Sequence, residues 1–325
     1  MTGLNLMTSE TSSDVPDQVS KCLQLAILLE VSAYPKPGNV HRTADFQETR
    51  YEHFLASAVA LGPHFRHAAE SGVKVFDKEI TLSQIGIGKI VKDGVADVIA
   101  WQHGGNTSLG SVILLIPMAT AAGLTLSENS VFFINKFRTN LKSVVESTIA
   151  EDAVNIYDVI AMVKPGGLGK APQLDVTDVK SKQKILEEAI SLFEVFKISS
   201  SWDSISAEWV NNYHITFDIA YPFLMRLLKE TEDVNMATVH TYLRILSEVP
   251  DTLISRKAGA SRAKRVSAQA KQILEAGGLA TQKGRTSLLK LDRKLHDRNH
   301  KLNPGTTADI TSAALAVAIL NGYRP

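Results

Sequence analysis

Cysteine and net charge are both scarce in this chain of 325 residues. It has one cysteine, Cys22, and its 35 Lys and Arg nearly balance 34 Asp and Glu, which gives a net charge of +1 at pH 7. One cysteine excludes an internal disulfide and fits a reducing compartment, so we expect a cytoplasmic protein. The charge balance predicts neither a nucleic acid nor an anionic membrane as a partner.

Long hydrophobic runs and strand patterns are also missing. The most apolar stretch, residues 111–124, is short for a membrane span and contains Pro117, which favours a buried core helix. Alternation of apolar and polar residues between tight turns does not occur, nor does a repeating order of strand and helix. Residues 1–16 are polar and rich in Ser and Thr, and we predict that they form a disordered tail.

Helical periodicity is present instead along most of the chain. In the first such segment, Leu23, Ile27, Leu28 and Val31 share a face, and Pro35 lies just beyond its end. The same pattern predicts helices over 18–32, 52–71, 83–101, 108–122, 127–147, 151–162, 180–196, 207–229, 236–247, 263–275, 285–298 and 307–320. We therefore predict an all-α protein in which residues 17–325 form a single compact domain of about a dozen helices.

Four loops between these helices concentrate Gly, Pro, Asn and charge: 35–42, 103–110, 164–178 and 303–309. The second of them places Gly104, Gly105, Asn106 and Thr107 before the most apolar run. Glycine allows backbone amides to approach a ligand, and a helix that begins near Thr107 would direct its positive end at a phosphate or carboxylate. The alternative is an ordinary helix start with a flexible entry.

The first and last loops have the same two interpretations. Two prolines stiffen the turn that presents Lys36, Asn39 and His41, so it could hold charges ready for a polyanion, or it could be a turn with solvated charges. The loop at 303–309 could offer a helix N-terminus to an anion. Alternatively, Thr306 and Asp309 could simply cap that helix.

Carboxylates suggest the remaining chemistry. Asp152 and Asn155 share a helix face and could bind a metal ion or a sugar hydroxyl, although Asp152 could equally serve as an N-terminal helix charge. Asp175 follows a segment with Gly167 and Gly169, which permits close phosphate approach or ordinary C-capping and lacks the ending of a P-loop.

Two further groups of residues have weaker interpretations. A basic cluster surrounds Gly259; it is typical of a solvated face, and one or two of its members turned inward would suit a triphosphate. Its members are Arg256, Lys257, Arg262, Lys264 and Arg265. Asp292, His296 and His300 recur every four residues, which is compatible with a metal site but more typical of a mixed solvated face.

The order of these motifs resembles that of the triphosphoribosyl-dephospho-CoA synthase family over about residues 23–320. The motifs are Pro-Lys-Pro-Gly at 35–38, Gly-x-Asn-Thr-x-x-Gly at 104–110, Asp-Ala-x-x-x-Tyr at 152–157, Gly-Leu-Gly at 167–169 with Asp-Val at 175–176, and Asn-Pro-Gly-x-x-Ala-Asp at 303–309. The resemblance implies an all-helical transferase. It also implies the reaction of that family, in which the ribose 2′-hydroxyl of 3′-dephospho-CoA attacks the anomeric carbon of the ribose of ATP and adenine leaves. Mg²⁺ is expected to accompany the triphosphate.

The resemblance also implies roles for matching residues. Asp152, Asp175 and Asp309 are expected at the anomeric centre, the first two also as metal ligands. Contacts to phosphate, to ribose or through the backbone are expected from Lys36, Gly38, Asn39, His41, Gly104, Gly105, Asn106, Thr107, Gly167, Gly169, Asn303, Gly305 and Thr306.

The chain departs from the family pattern in several loops. Ser108 and Leu109 occupy the positions where bacterial members carry His and Lys, and Asn39 and His41 replace Leu and Asp. These differences indicate a divergent branch. They leave open an N-glycoside hydrolase, a transferase for another nucleotide or sugar phosphate, and a nucleotide-binding protein without catalysis.

Overall fold

Helices make up the regular structure of this protein. The computed structural model describes residues 15–129, 131–296 and 299–325, and within them the only β-type pairing is one isolated bridge between His41 and Ala44. The all-α prediction is confirmed. Of the predicted tail, residues 1–14 lie outside the described residues, whereas Val15 and Pro16 are not tail but the first residues of a helix.

The described segments contain fifteen α-helices, joined by short 3₁₀ or π turns at Leu82–Gln84, Ile215–Ala220 and Gly278–Ala280. The helices are α1 Val15–Ser32, α2 Tyr51–Phe76, α3 Ile87–Trp101, α4 Leu109–Glu128, α5 Ile134–Glu146, α6 Ala150–Val163, α7 Val179–Glu187, α8 Leu192–Ser199, α9 Ser204–Val210, α10 Tyr221–Thr231, α11 Val234–Glu248, α12 Thr252–Ala258, α13 Ala260–Glu275, α14 Gln282–Leu295 and α15 Gly305–Leu320.

Two of the longest predicted helices are broken. The helix predicted over 180–196 is two helices, because Ala189 has a φ of 51° and Ser191 starts α8 with a capping box. The helix predicted over 207–229 is interrupted after α9, where Asn212 and Tyr213 have positive φ. The buried carboxylate of Glu208 then accepts hydrogen bonds from backbone amides of the next turn. These hydrogen bonds stabilise the break. The periodicity analysis also missed α12.

The central helix of the core is α4, which contacts α1, α2, α3, α5 and α15. It is long and apolar enough to cross a membrane by length and composition, and 83% of that stretch is buried inside the protein. The helix extends beyond the apolar run at 111–124 at both ends, and its burial confirms the prediction of a core helix. Gly123 makes the close crossing with α2 possible, because a Cβ there would lie 2.1 Å from the carbonyl oxygen of Ala69.

A smaller apolar cluster joins α11, α12, α13 and α14 beside this core. Tyr242 of α11 is fully buried in it, and its hydroxyl donates to the carbonyl of Pro37 at 3.1 Å. This bond ties the proline-rich turn to the second cluster. The turn therefore lies between the two parts of the molecule, close to where α15 begins.

Candidate active site

A cavity of about 630 Å³ opens where α4 and α15 begin. Residues 106–111 line it at the start of α4, and much of the 165–176 loop forms another wall. At the start of α15 the lining residues are Asn303, Gly305, Thr306, Ala308 and Asp309. Both helices direct their N-termini at the same space, although about 195 residues separate them in sequence. Unpaired backbone amides and the positive dipole ends of two long helices make this space favourable for an anion.

The two helix starts are in direct contact. The hydroxyl of Ser111 donates to the carboxylate of Asp309 at 2.6 Å. A Cβ at Gly110 would lie 2.1 Å from the other carboxylate oxygen, so only glycine lets Asp309 sit this close to α4. The motif glycine thus makes room for a carboxylate of this chain.

Asp309 is a buried and strongly perturbed acid on the cavity wall. Burial, together with the charges of Glu30 and Asp251, raises its pKa to about 7 against the opposing hydrogen bonds from Ser111. Asp309 therefore changes protonation near neutral pH. A carboxyl group in this state can take up or release a proton during a reaction.

The first turn of α15 is anchored from α12. Asp251 accepts both the backbone amide and the hydroxyl of Thr307 at 2.8 Å, and Thr252 bonds to the hydroxyl of Thr306 at 3.2 Å. Asn303, which lines the cavity before this turn, has a buried amide oxygen without a hydrogen-bond partner among the described residues. A buried oxygen of this kind is available to a ligand donor.

Cationic side chains face the helix starts from α12. Arg256 and Lys257 line the cavity, and a Cβ on Gly167 would come within 3.1 Å of both side chains. Gly167 has a φ of +80°, so glycine meets a conformational as well as a spatial requirement there. Two members of the basic cluster thus turn inward, as a triphosphate partner requires.

Asp175 also lines the cavity, from the opposite end of the 165–176 loop. Its oxygens accept the backbone amides of Ala171 at 2.6 Å and Thr177 at 2.8 Å. Hydrogen bonds from the Thr177 hydroxyl and these amides lower the pKa of Asp175. The carboxylate is therefore ionised at neutral pH.

Three predicted residues of the proline-rich turn lie behind the cavity wall. The ammonium of Lys36 is buried, 2.5 Å from the carboxylate of Glu30, and it is Glu30 that lines the cavity. Burial lowers the pKa of Lys36, while Glu30 opposes the shift. The amide of Gly38 and the imidazole of His41 bond to Asp292 at 3.0 and 3.3 Å. None of the three lines the cavity.

The proposed metal stripe on α14 does not form. The helix ends at Leu295, and the imidazole of His296 turns back onto Asp292 at 3.1 Å. Although burial opposes it, hydrogen bonds from His296 and His41 lower the pKa of Asp292 to about 2. Among the described residues, no group of three His, Cys, Asp or Glu could hold a metal ion.

The double glycine before α4 also lies outside the cavity lining. A Cβ at Gly104 would overlap the imidazole of His53, 2.0 Å from its Nδ1, and Gln102 donates to the carbonyl of Gly105 at 2.8 Å. These glycines shape the turn so that the next residues reach the cavity. The hydroxyl of Thr107 bonds there to Ser57 at 2.7 Å.

Asp152 corrects the sequence analysis most clearly. Its two oxygens accept the amides of Gly88 at 2.8 Å and Ile149 at 3.0 Å, so it joins the starts of α3 and α6. The side chain is buried and does not line the cavity. The structure therefore supports the helix-charge interpretation of Asp152, and it does not bring Asp152 to the cavity that Asp175 lines.

Ten of the sixteen predicted site residues line this one cavity. They are Asn39, Asn106, Thr107, Gly167, Gly169, Asp175, Asn303, Gly305, Thr306 and Asp309. The six that do not are Lys36, Gly38, His41, Gly104, Gly105 and Asp152. The motif loops thus converge as expected, but part of each motif supports the wall from behind.

Two polar residues and most of the apolar wall were not predicted from the sequence; the exception is Trp202, a tryptophan that could stack on a purine or pack in the core. Glu30 is an acid within the apolar face of α1, and Ser111 is a hydroxyl residue at the start of an apolar run. A polar residue inside an apolar pattern could have marked each of them as a candidate site residue. The apolar wall includes Val195, Phe196 and Trp202, the last 40% exposed. These residues come from α8 and its end, a segment with no motif.

The fold and the cavity together define an all-helical protein with a site suited to a phosphorylated ligand. The chain matches the model of the ATP:dephospho-CoA triphosphoribosyl transferase family over residues 16–325. It belongs to this family and is a transferase of the triphosphoribosyl-dephospho-CoA synthase type.

Individual relatives agree over most of the chain. A probable 2-(5''-triphosphoribosyl)-3'-dephosphocoenzyme-A synthase from Pseudomonas fluorescens is 24% identical over 89% of this chain and 87% of its own length. A protein of the same name from Malonomonas rubra is 21% identical over 94% and 88%. The crystal structure of a candidate triphosphoribosyl-dephospho-CoA synthase from Archaeoglobus fulgidus aligns with a TM-score of 0.62 at 24% identity, covering 85% of this chain and all of that one. This last likeness concerns the fold alone.

Proposed function

We propose that this enzyme transfers the triphosphoribosyl group of ATP to the ribose 2′-hydroxyl of 3′-dephospho-CoA and releases adenine. The observation that carries the proposal is the contact between the starts of α4 and α15, with Asp309 between them. It places an acid with a pKa of about 7 beside two helix N-termini in a cavity with a cationic wall. A glycosyl transfer between two anionic nucleotides needs these same elements.

The triphosphate of ATP would lie between the helix starts and the cationic wall. Backbone amides of α4 and α15 offer hydrogen bonds and positive dipole ends, and Arg256 and Lys257 add cationic side chains to the lining, Arg256 while paired with Asp203 at 3.2 Å. Lys170 adds a third cation to the lining. This arrangement retains the phosphates while the bond between adenine and ribose breaks.

Asp309 would act as the general base. In its ionised form it accepts the proton of the attacking 2′-hydroxyl as the oxygen bonds to the anomeric carbon. Adenine leaves with the electron pair of the broken bond and takes up one proton from solvent, which balances the proton that Asp309 removes and later returns to solvent. Its negative charge also favours the cation-like sugar of the transition state.

Mg²⁺ would enter with the triphosphate, and the lining fits it. Protein sites for Mg²⁺ commonly supply one or two carboxylates and leave the other positions to phosphate and water. Asp175 is an ionised carboxylate on the cavity wall, so it would hold the ion. When bound, the ion would neutralise phosphate charge.

The apolar wall would receive an uncharged part of a substrate. Trp202 exposes an aromatic face beside Phe196 and Val195 in the same cavity. A purine or the pantetheine arm of dephospho-CoA buries apolar surface on such a wall. The acceptor and the triphosphate would thus occupy different sides of one space.

Free adenine is the product that tests the proposal. The purified protein is incubated with ATP and Mg²⁺, with and without 3′-dephospho-CoA, and adenine is measured by chromatography. The proposal requires adenine only when dephospho-CoA is present, in equal amount with a coupled product of the expected mass. Adenine without dephospho-CoA would indicate an N-glycoside hydrolase, and no adenine despite ATP binding would indicate a nucleotide-binding protein.

A further inference from the structure

The exposed charges of α13 and α14 are positive except for Glu275 at the end of α13. Exposed cations on α13 are Arg262, Lys264, Arg265 and Lys271. Those on α14 are Lys283, Arg285, Lys290, Arg293 and Lys294. We call these nine side chains the basic face. None of them forms an ion pair with any residue that the structure describes.

This pattern is unusual within the molecule. Several exposed cations on other helices pair with acids four residues away, as in Lys89–Asp93 at 2.6 Å and Lys184–Glu188 at 3.8 Å. Residues 252–296 contain eleven Lys and Arg but only two acids, while the whole chain has a net charge of +1. The rest of the molecule is therefore acidic, and positive potential is concentrated on this side.

The basic face continues from the wall of the cavity. Arg256 and Lys257 line the cavity from α12, and Gly259, with a φ of +93°, turns the chain directly into α13. Arg262 follows three residues later. Further along, a groove between α13 and α14 is lined by Lys283, Lys290 and Lys294, with Glu275 as its one acid. Cationic side chains thus occur on three consecutive helices, from the cavity wall on α12 to this groove.

We propose that the basic face captures the nucleotide polyphosphate and guides it towards Arg256 and Lys257. Neighbouring charges of one sign raise the local concentration and the association rate of an oppositely charged ligand, and salt screens this effect. The inference depends on the proposed function only in that the substrate is an anionic nucleotide.

A small mobile anion fits this face better than a macromolecule. No Phe, Tyr or Trp occurs between residues 252 and 300. Proteins that bind single-stranded nucleic acids use aromatic side chains to stack on the bases, and interfacial membrane helices insert aromatic and large apolar side chains. The basic face has positive charge but no aromatic side chain for either purpose.

The test compares two triple variants with the same change in net charge. The first is K283Q/K290Q/K294Q, which neutralises the groove. The matched control is K89Q/K142Q/K184Q, which removes exposed lysines from α3, α5 and α7. The association rate of N-methylanthraniloyl-ATP is measured by stopped-flow fluorescence at 20 and 300 mM salt, and kcat for ATP is measured alongside.

The groove variant is expected to associate about 3–10-fold more slowly at 20 mM salt and within about twofold of the unmodified protein at 300 mM, with kcat unchanged. The association rate of the control is expected to stay within twofold of the unmodified protein at both salt concentrations.

Equal association rates for the groove variant and the unmodified protein, or equal losses in both variants, would overturn the inference while leaving the proposed function intact. Nucleotide binding without adenine release would contradict only the proposed function. Absence of nucleotide binding would contradict both the proposed function and this inference. Salt-resistant binding of a duplex oligonucleotide that the groove variant loses would assign the face to nucleic acid instead.

Discussion

Asp309 is the proposed general base, and its burial also destabilises the folded protein. One substitution distinguishes the catalytic effect from the effect on stability. Its pKa of about 7 in the folded protein lies above the 3.8 expected of the unfolded chain. The unfolded chain therefore ionises first, so this group destabilises the fold progressively between about pH 4 and pH 7 and fully above that range. Asp309→Asn removes the cost and keeps an acceptor for Ser111.

We expect Asp309→Asn to lower kcat at least 10²-fold and to raise the free energy of unfolding by roughly 2 kcal/mol at pH 8 but only slightly at pH 4. Adenine release and urea denaturation at the two pH values measure these effects. A variant that is inactive but also less stable at pH 8 would contradict the argument, because lost folding would then explain the lost activity.

Ser111 tunes the same carboxyl group. Its hydroxyl donates to the ionised form, which lowers the pKa of Asp309, so Ser111→Ala raises it further. The acid limb of the pH profile of kcat/KM is expected to move upwards by about one unit, with activity largely recovered at pH 9. Ser57→Ala is the control, since Ser57 bonds to Thr107 and not to Asp309. An unmoved acid limb in the Ser111 variant would remove Asp309 as its source.

Asp152 is expected to matter for folding rather than for chemistry. Asp152→Ala leaves the amides of Gly88 and Ile149 without acceptors, and we expect a loss of about 2–3 kcal/mol in unfolding free energy. Activity per folded molecule should change less than threefold. Urea denaturation and an active-site titration separate the two quantities, and a folded, stable, inactive variant would restore the catalytic prediction.

At the scale of helices, the contact between α4 and α15 is the element on which the site depends. Gly110→Ala would place a Cβ 2.1 Å from the Asp309 carboxylate, so the two helix starts must separate. We expect kcat to fall more than tenfold while the far ends of both helices stay packed. Gly94→Ala is the matched helical control, because its Cβ would lie 3.2 Å from Leu61 and ask for only a small adjustment. Equal activity of the two variants would show that the contact does not position Asp309.

Helix periodicity predicted most of the elements but not their breaks. The pattern averages over a face, whereas the breaks after α7 and α9 depend on single residues, Ala189, Asn212 and Tyr213, with positive φ. None of these is glycine or proline, so the sequence held no ordinary breaker there. The capping acid Glu208 is recognisable only once its partners are known.

The site was predictable where glycine and asparagine mark a helix start, as at 106–107 and 303–306. It was not predictable where a motif side chain has a buried partner. Lys36 appeared to be a phosphate ligand because the buried carboxylate of Glu30 becomes its neighbour only in the folded chain. Spacing along the sequence cannot tell a charge that faces a ligand from one that faces its counter-ion.

At the scale of the whole molecule, the cavity is built from segments that span most of the chain. Residues 106–111, 165–176, 256–257 and 303–309 meet only in the folded state. A ligand that binds them stabilises the fold as a whole, by about 2.7 kcal/mol at 100 times its Kd. We expect ATP with Mg²⁺ to raise Tm by several degrees at that concentration.

A comparison of adenosine with ATP measures how much of this stabilisation comes from the phosphates. It can use the apolar wall but not the helix N-termini or Arg256, so we expect it to raise Tm far less than ATP at equal concentration. Arg256→Ala combined with Lys257→Ala should reduce the ATP effect towards that of adenosine, because both cations face the proposed triphosphate. Differential scanning fluorimetry measures all four combinations of protein and ligand. If adenosine and ATP stabilise the unmodified protein equally, the phosphates do not lie between α4, α15 and the cationic wall.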